Sequence, residues 1–292
     1  MTTKELYIPT NGIRLYAVEA GEGPLVLLLH GFPEFWWSWH HQLEKIAEAG
    51  FKAVAIDLPG YGRSDKPDTR YDIVFLSECI AGIPRHFRRR QMAIAGHDWG
   101  GIIVWTFARF HPESVAAVIG VNTPDFPRPS APPVQILRRI NPHQPSYIVQ
   151  FQTPGAAEYF IEQDIEAFFR LMFLGPVTWR REVFTDEVIE IYCEQFRPYG
   201  SLSPPLDYYR NLDRNWELTQ ALAGRKITAP ALMIMAQNDP VLTPAMAEGM
   251  EERVPNLKKV LIEECGHWTQ LEQPVKTGQA MVEFLRSIPG WD

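Results

Sequence analysis

Cysteine is scarce in this chain. Cys79, Cys193 and Cys265 are widely separated and odd in number, which excludes a disulfide framework and fits a reducing, cytoplasmic setting. Positive charge is in deficit as well. The 28 Lys and Arg against 35 Asp and Glu leave a net charge of −7, which argues against nucleic acid or an anionic membrane surface as partner. The one dense basic cluster, His86-Phe87-Arg88-Arg89-Arg90, holds a single ring with no interleaving and reads as a solvated face. No apolar run approaches membrane-spanning length. The first residues, Met1 to Glu5, carry no leader pattern, so no membrane insertion is expected. Internal repeats and low-complexity tails are also lacking.

What is present suits a soluble globular protein. The 292 residues, 46% apolar and 22% charged, suffice for one large domain or two moderate ones with a substantial core. Two strands joined at Asn11-Gly12 open the chain over residues 4–18. Pro24 to His30 is a continuous apolar run of strand length, as a parallel strand buried on both faces requires. A helix over 37–49 stops at Gly50, and a strand from Phe51 to Asp57 follows. Further strands are expected at Met92–Ala95, Ala116–Val121, 230–236 and 259–263. This strand–helix alternation predicts a mostly parallel sheet with helices on both faces.

The pattern changes after Asn122. Eight prolines fall between Pro124 and Pro154, too many for a regular helix or a central strand. Helices are expected at 156–173 and 185–196. In the first, Phe160, Ile161, Ile165, Phe168, Phe169 and Met172 mark one apolar face. Thr243-Pro244 has the form of an N-cap followed by proline at the first helical position. The organisation expected is a core of residues 1–126 and 224–292, interrupted by a helical cap over 127–223.

The chemistry concentrates at Gly96-His97-Asp98-Trp99-Gly100-Gly101, between the Met92–Ala95 strand and a helix read from Ile102 to His111. Small residues flanking a central acid form a tight strand-to-helix turn that exposes Asp98 at the carboxyl end of a sheet. A carboxylate there can attack a carbon bearing a leaving group and form an alkyl ester. Cleaving that ester needs a base to activate water and an acid to orient the base. His267, in Gly266-His267-Trp268, and Asp239, in Gln237-Asn238-Asp239-Pro240, each follow an expected strand in the required order. Asp125 also follows a strand and competes with Asp239 as the orienting acid. The ester also needs an oxyanion hole. The Trp99 N–H and the Phe32 N–H of the loop His30-Gly31-Phe32-Pro33 are the candidate donors, and His30 reads as a hydrogen-bonded loop residue rather than a metal ligand. Trp36 and Trp99 are candidates for lining an apolar substrate pocket.

These motifs resemble the soluble epoxide hydrolases of the α/β-hydrolase superfamily over nearly the whole chain. His30-Gly31-Phe32-Pro33-Glu34 resembles their H-G-x-P loop, the Gly96–Gly101 segment their nucleophile elbow, and Gly266-His267-Trp268 their histidine loop. Phe151-Gln152-Thr153-Pro154-Gly155 resembles a cap segment that a ring-opening tyrosine precedes by four residues, here Tyr147. Pro205-Leu206-Asp207-Tyr208-Tyr209-Arg210-Asn211 resembles the segment of the second such tyrosine, which maps to Tyr209 with Tyr208 as its neighbour. The resemblance implies an α/β-hydrolase fold with an eight-stranded sheet and an inserted helical cap. It also implies conversion of an epoxide and water to a vicinal diol through an ester on Asp98. No cofactor or metal is implied, the partners are a small apolar epoxide and water, and the assembly is a monomer or homodimer. Gly82 to Gln91, basic and containing Pro84, departs from the family's plain helix and turn. Haloalkane dehalogenases share the Asp elbow but place Asn where this chain has Phe32, and a tyrosine pair suits an oxygen leaving group better than halide. A catalytically inactive binding protein of the same fold is the alternative from another class, and it predicts a lost triad member.

Overall fold

The computed structural model describes residues 2–140, 142–144 and 146–291. Its strands are β1 (Lys4–Thr10), β2 (Ile13–Ala20), β3 (Leu25–Leu29), β4 (Lys52–Ile56), β5 (Met92–His97), β6 (Val115–Val121), β7 (Ala231–Ala236) and β8 (Leu257–Ile262). They form one eight-stranded sheet in the order β1-β2-β4-β3-β5-β6-β7-β8. β2 is antiparallel to β1 and β4, and every other pair is parallel. The β1–β2 hairpin turns at Asn11-Gly12, both with positive φ, as a two-residue turn of this type requires.

Five buried residues make up β3. Leu25, Leu27 and Leu29 pack into the apolar layer on one face of the sheet, and Val26 and Leu28 into the layer on the other. This is the period-two geometry of a strand covered on both sides. Four helices fall between β3 and β6: α1 (His40–Glu48), α2 (Ile73–Ala81), α3 (Ile83–His86) and α4 (Trp99–Phe110). Between β6 and β7 the chain leaves the sheet for seven helices: α5 (Pro133–Ile140), α6 (Tyr147–Gln150), α7 (Ala156–Gln163), α8 (Ile165–Leu174), α9 (Asp186–Phe196), α10 (Ser203–Arg210) and α11 (Leu212–Leu218). α12 (Thr269–Glu272) and α13 (Pro274–Arg286) follow β8.

Several local expectations are corrected. An eight-residue helix, α5, does form among the prolines, because Pro133 occupies its first position, where no N–H partner is needed. The helix expected over 156–173 is two helices broken at Asp164, whose carboxylate caps the second by accepting from the Ala167 N–H. The break rotates the two apolar stripes apart, so Phe160 is 75% exposed while Phe169 is buried. Thr243 makes no side-chain cap bond, and Pro244 opens only a short 3-10 turn. Pro84 sits in the first turn of α3, so the basic Gly82–Gln91 segment keeps a short helix there despite its composition.

The elbow is set by close backbone approach. α4 begins at Trp99 rather than Ile102, which draws Gly100 and Gly101 into its first turn. A Cβ on Gly96 would lie 2.1 Å from the Gly100 carbonyl oxygen, and one on Gly100 would lie 2.2 Å from that of Leu29. Neither backbone neighbour can yield without moving the first turn of α4 or the end of β3. Gly96→Ala is therefore expected to lower folding stability by about 2 kcal/mol or more, read from urea unfolding; an unchanged midpoint would show that the elbow has slack.

Candidate active site

Asp98 joins β5 to α4 at the carboxyl edge of the sheet with φ +49°, a left-handed conformation rare outside glycine. Its side chain makes no cap bond to α4, so it is not a helix-capping residue. The Thr123 hydroxyl donates to the Asp98 carbonyl at 2.9 Å and fixes the turn from behind. Asp98 Oδ1 accepts from the Phe32 N–H at 2.8 Å. Such closeness demands glycine at position 31, where a Cβ would stand 2.3 Å from Asp98 Cβ. Burial pushes the Asp98 carboxyl above its ordinary pKa, opposed by the charges of His267 and His97 and by the Phe32 and Trp99 N–H groups.

The second and third elements converge on the same rim. His267 Nδ1 lies 2.8 Å from Asp239 Oδ2. Asp239 Oδ1 accepts from the Val241 and Leu242 N–H groups, and Oδ2 also accepts from Asn122 Nδ2 at 2.7 Å. Burial alone would raise the Asp239 pKa, but the charge and hydrogen bond of His267, with the Leu242 and Asn122 donors, hold it well below the carboxylate range. For His267 burial favours the neutral ring, yet Asp239 and then Asp98 raise its pKa to about 9. With Nδ1 committed to Asp239, Nε2 is the nitrogen left for chemistry. Asp125 stands elsewhere, gripped by Arg109 at 2.6 and 2.8 Å and by Arg253 at 3.0 Å. His30 is a buried loop residue: Nδ1 donates to the Gly31 carbonyl, Nε2 accepts from the Leu58 N–H, and burial lowers its pKa to about 4.

Of the cap tyrosines, Tyr209 is buried, and its ring packs edge-on against Trp99, Phe32 and Phe151. Tyr147 lies beside it with ring centroids 5.9 Å apart. It is 44% exposed. Burial, and then nearby charge that includes Asp98, pushes both phenols up, so both stay protonated donors. The Tyr208 hydroxyl is used elsewhere, donating to the Pro59 carbonyl at 2.7 Å. Trp99 is almost fully buried under Tyr208 and Tyr209. The Trp36 ring packs against Phe35 and its backbone N–H donates to Asp57 at 2.9 Å, contacts that tie it to the β3 and β4 loops rather than to Asp98.

Two buried carboxylates escaped the sequence reading. Glu34 accepts from the Gly31 N–H at 2.9 Å, His97 Nδ1 at 2.7 Å and Gln270 Nε2 at 2.7 Å, while His97 Nε2 donates to the His267 carbonyl at 2.8 Å. Burial opposes charge on Glu34, but His97 and the Gly31 N–H hold its pKa low. This chain of bonds links the Phe32 loop, the elbow and the histidine loop. Glu272 accepts from the N–H groups of Gly266, Trp268, Trp179 and Arg180 at 2.8 to 3.1 Å. The His267 N–H in turn donates to the Val177 carbonyl at 2.8 Å, so the histidine loop is pinned to the segment after α8. Glu34 lies inside a motif and shows no separate signal, and Glu272 looks like any helical glutamate in the sequence.

The assembly couples an anchored carboxylate, an imidazole oriented by a second carboxylate, and paired phenols. It suits displacement of an oxygen leaving group at carbon followed by ester hydrolysis. Among the described residues, no group of three or more His, Cys, Asp or Glu side chains is placed to hold a metal ion, and no helix is long and apolar enough to cross a membrane.

Residues 24–274 match the alpha/beta hydrolase fold family. Bifunctional epoxide hydrolase 2 of Rattus norvegicus is 39% identical, with 94% of this chain and 54% of that protein covered, so the chain spans about half the length of the bifunctional relatives it matches. Epoxide hydrolase A of Mycobacterium tuberculosis is 35% identical over 97% of this chain and 98% of its own. The crystal structure of Epoxide Hydrolase A from Mycobacterium thermoresistibile superimposes with a TM-score of 0.94 at 36% identity, covering 100% of both chains. With this fold, this elbow and relatives aligned nearly end to end, the chain belongs to the epoxide hydrolases of the alpha/beta hydrolase fold family.

Proposed function

We propose that the protein hydrolyses a small apolar epoxide to a vicinal diol through a covalent ester on Asp98. The observation that carries this reading is the convergence on one rim of Asp98, anchored by the Phe32 N–H at 2.8 Å, and His267, held by Asp239 at 2.8 Å, under the Tyr147–Tyr209 pair. The names of the relatives support the substrate class. We read residues 127–223 as the cap and residues 1–126 with 224–292 as the core, supported by the run of α5 to α11 between β6 and β7. A reducing, cytoplasmic setting is supported by three free, buried cysteines. A monomer or homodimer remains the proposed assembly.

The free oxygen of Asp98 attacks an epoxide carbon while Oδ1 stays with the Phe32 N–H. The carbon–oxygen bond of the ring breaks, and Tyr147 or Tyr209 protonates the departing oxygen. His267 then takes a proton from water through Nε2, and hydroxide adds to the Asp98 carboxyl carbon. The resulting oxyanion sits against the Phe32 and Trp99 N–H groups. Collapse of the tetrahedral intermediate releases the diol: the proton on His267 passes to the leaving alkoxide, and the proton left on the Asp98 carboxyl returns to the tyrosinate, restoring carboxylate and phenol. Esterification also switches His267. Burial already favours the neutral ring, and Asp98 is one of the charges that raises its pKa to about 9; converting Asp98 to a neutral ester removes that charge and frees the imidazole to act as a base.

Mixing His267→Gln with styrene oxide should leave the whole epoxide mass on the peptide containing Asp98, read by mass spectrometry, and Asp98→Ala should lose turnover by about 10⁴-fold or more. An unlabelled peptide together with undiminished Asp98→Ala turnover would sink the nucleophile assignment. Replacing both Tyr147 and Tyr209 with Phe should slow ester formation by about 10² to 10⁴ in single-turnover experiments, and near-normal rates would leave these tyrosines a packing role alone. In Asp98→Asn the His267 pKa, followed by imidazole NMR, should fall below the wild-type value of about 9; an unchanged or higher value would refute the charge switch.

A further inference from the structure

A groove of about 460 Å³ lies away from Asp98, between the outer side of α4 and the helices that follow β6, and its size falls in the range of small-molecule sites. Both crossings of the chain line it, residues 124–129 on leaving the sheet and residues 219–226 on returning. Its walls are unusually apolar for a seam. Trp105 spends its indole N–H on the Thr123 carbonyl at 2.8 Å, and Trp216 spends its own on the Pro129 carbonyl at 2.9 Å. Trp105 is almost fully buried beneath the floor, so the hydrocarbon surface of the groove comes from the half-buried Trp216 and the exposed Phe126.

The mouth carries the opposite sign to the protein as a whole, whose net charge is −7. Asp125 is neutralised by two guanidinium groups, Arg109 and Arg253. Arg128 stacks over Trp216 at 4.2 Å and bonds only the neutral Thr219 hydroxyl. Arg225 donates to the Arg109 carbonyl, and Lys226 is exposed. Neither Arg128, Arg225 nor Lys226 is matched by a carboxylate among the described residues, and Glu252 is the only other acid in the lining.

From the apolar walls and this excess of cations, we propose that the groove is a second binding site for an amphipathic carboxylate. The aliphatic chain lies along Trp216 and Phe126, and the carboxylate faces Arg128, Arg225 and Lys226. Such a ligand bridges both chain crossings. The groove's nearest lining residue, Pro124, is two residues from Asn122, which holds Asp239 at 2.7 Å. The chemistry requires both parts of the ligand, since a short carboxylate forgoes the walls and a neutral alcohol forgoes the cations.

Calorimetric titration of the full chain with dodecanoate, dodecan-1-ol and propanoate tests this, together with two variants at exposed lining positions. Arg225→Glu with Lys226→Glu reverses the mouth, and Ala223→Trp fills the groove. Dodecanoate should bind one site, about tenfold or more tighter than either comparison compound. Both variants should weaken it by a similar factor while keeping the wild-type melting temperature. Binding in the catalytic cavity would be indifferent to both variants. No dodecanoate binding, equal affinity for the alcohol, or wild-type affinity in either folded variant overturns the proposal.

Discussion

The structure depends on keeping a carboxylate charged inside an apolar core. Transfer of an isolated carboxylate from water is very costly, and burial does push Asp98 toward its neutral form. What opposes this is first the charges of the His267 and His97 imidazoles and then the Phe32 and Trp99 N–H groups. The two N–H groups among them are also the donors that the proposed ester oxyanion would use. The left-handed φ of Asp98, the closeness of Gly31 and the tight packing of Gly96 on Gly100 accompany the approach of the Phe32 N–H to 2.8 Å from the Asp98 carboxylate.

Other buried carboxylates act as struts between loops. Glu34, Asp239 and Glu272 are all nearly inaccessible to solvent, and each is satisfied by three or four donors from different segments. A buried acid of this kind is tolerable only when its donors are complete, so the loops it gathers are held in one arrangement. Glu34 joins the Phe32 loop to the elbow, and Glu272 joins the histidine loop to the segment after α8. Exposed pairs such as Arg170–Glu166 sit in high dielectric, where a pair contributes about 0 to 1 kcal/mol and positions nothing in the site.

Much of this was open to sequence reading where a residue type answers a local demand. The β1–β2 turn follows from Asn11-Gly12, the doubly covered β3 from an unbroken apolar run, and the elbow from glycines around one acid. The reading failed where competing local options decide the outcome. Asp164 breaks a helix because its carboxylate finds the Ala167 N–H, and the apolar periodicity on either side gives no hint of the break. The prolines after Asn122 discouraged a helix that forms between them, because a proline at the first helical position is harmless.

The residue order by itself determined the alternating strands and helices, the cap between β6 and β7, and the candidates Asp98, Asp239 and His267, because these rest on period, turn chemistry and order along parallel strands. It favoured Asp239 over Asp125 and Tyr209 over Tyr208 without excluding either rival. Only the tertiary structure separates them. Arg109 and Arg253 claim Asp125, and Pro59 claims the Tyr208 hydroxyl, which leaves Asp239 on His267 and Tyr209 beside Tyr147. The same holds for Glu34 and Glu272. A buried carboxylate acquires its role from donors far away in the chain, and that convergence is set by how the sheet brings its loop ends together.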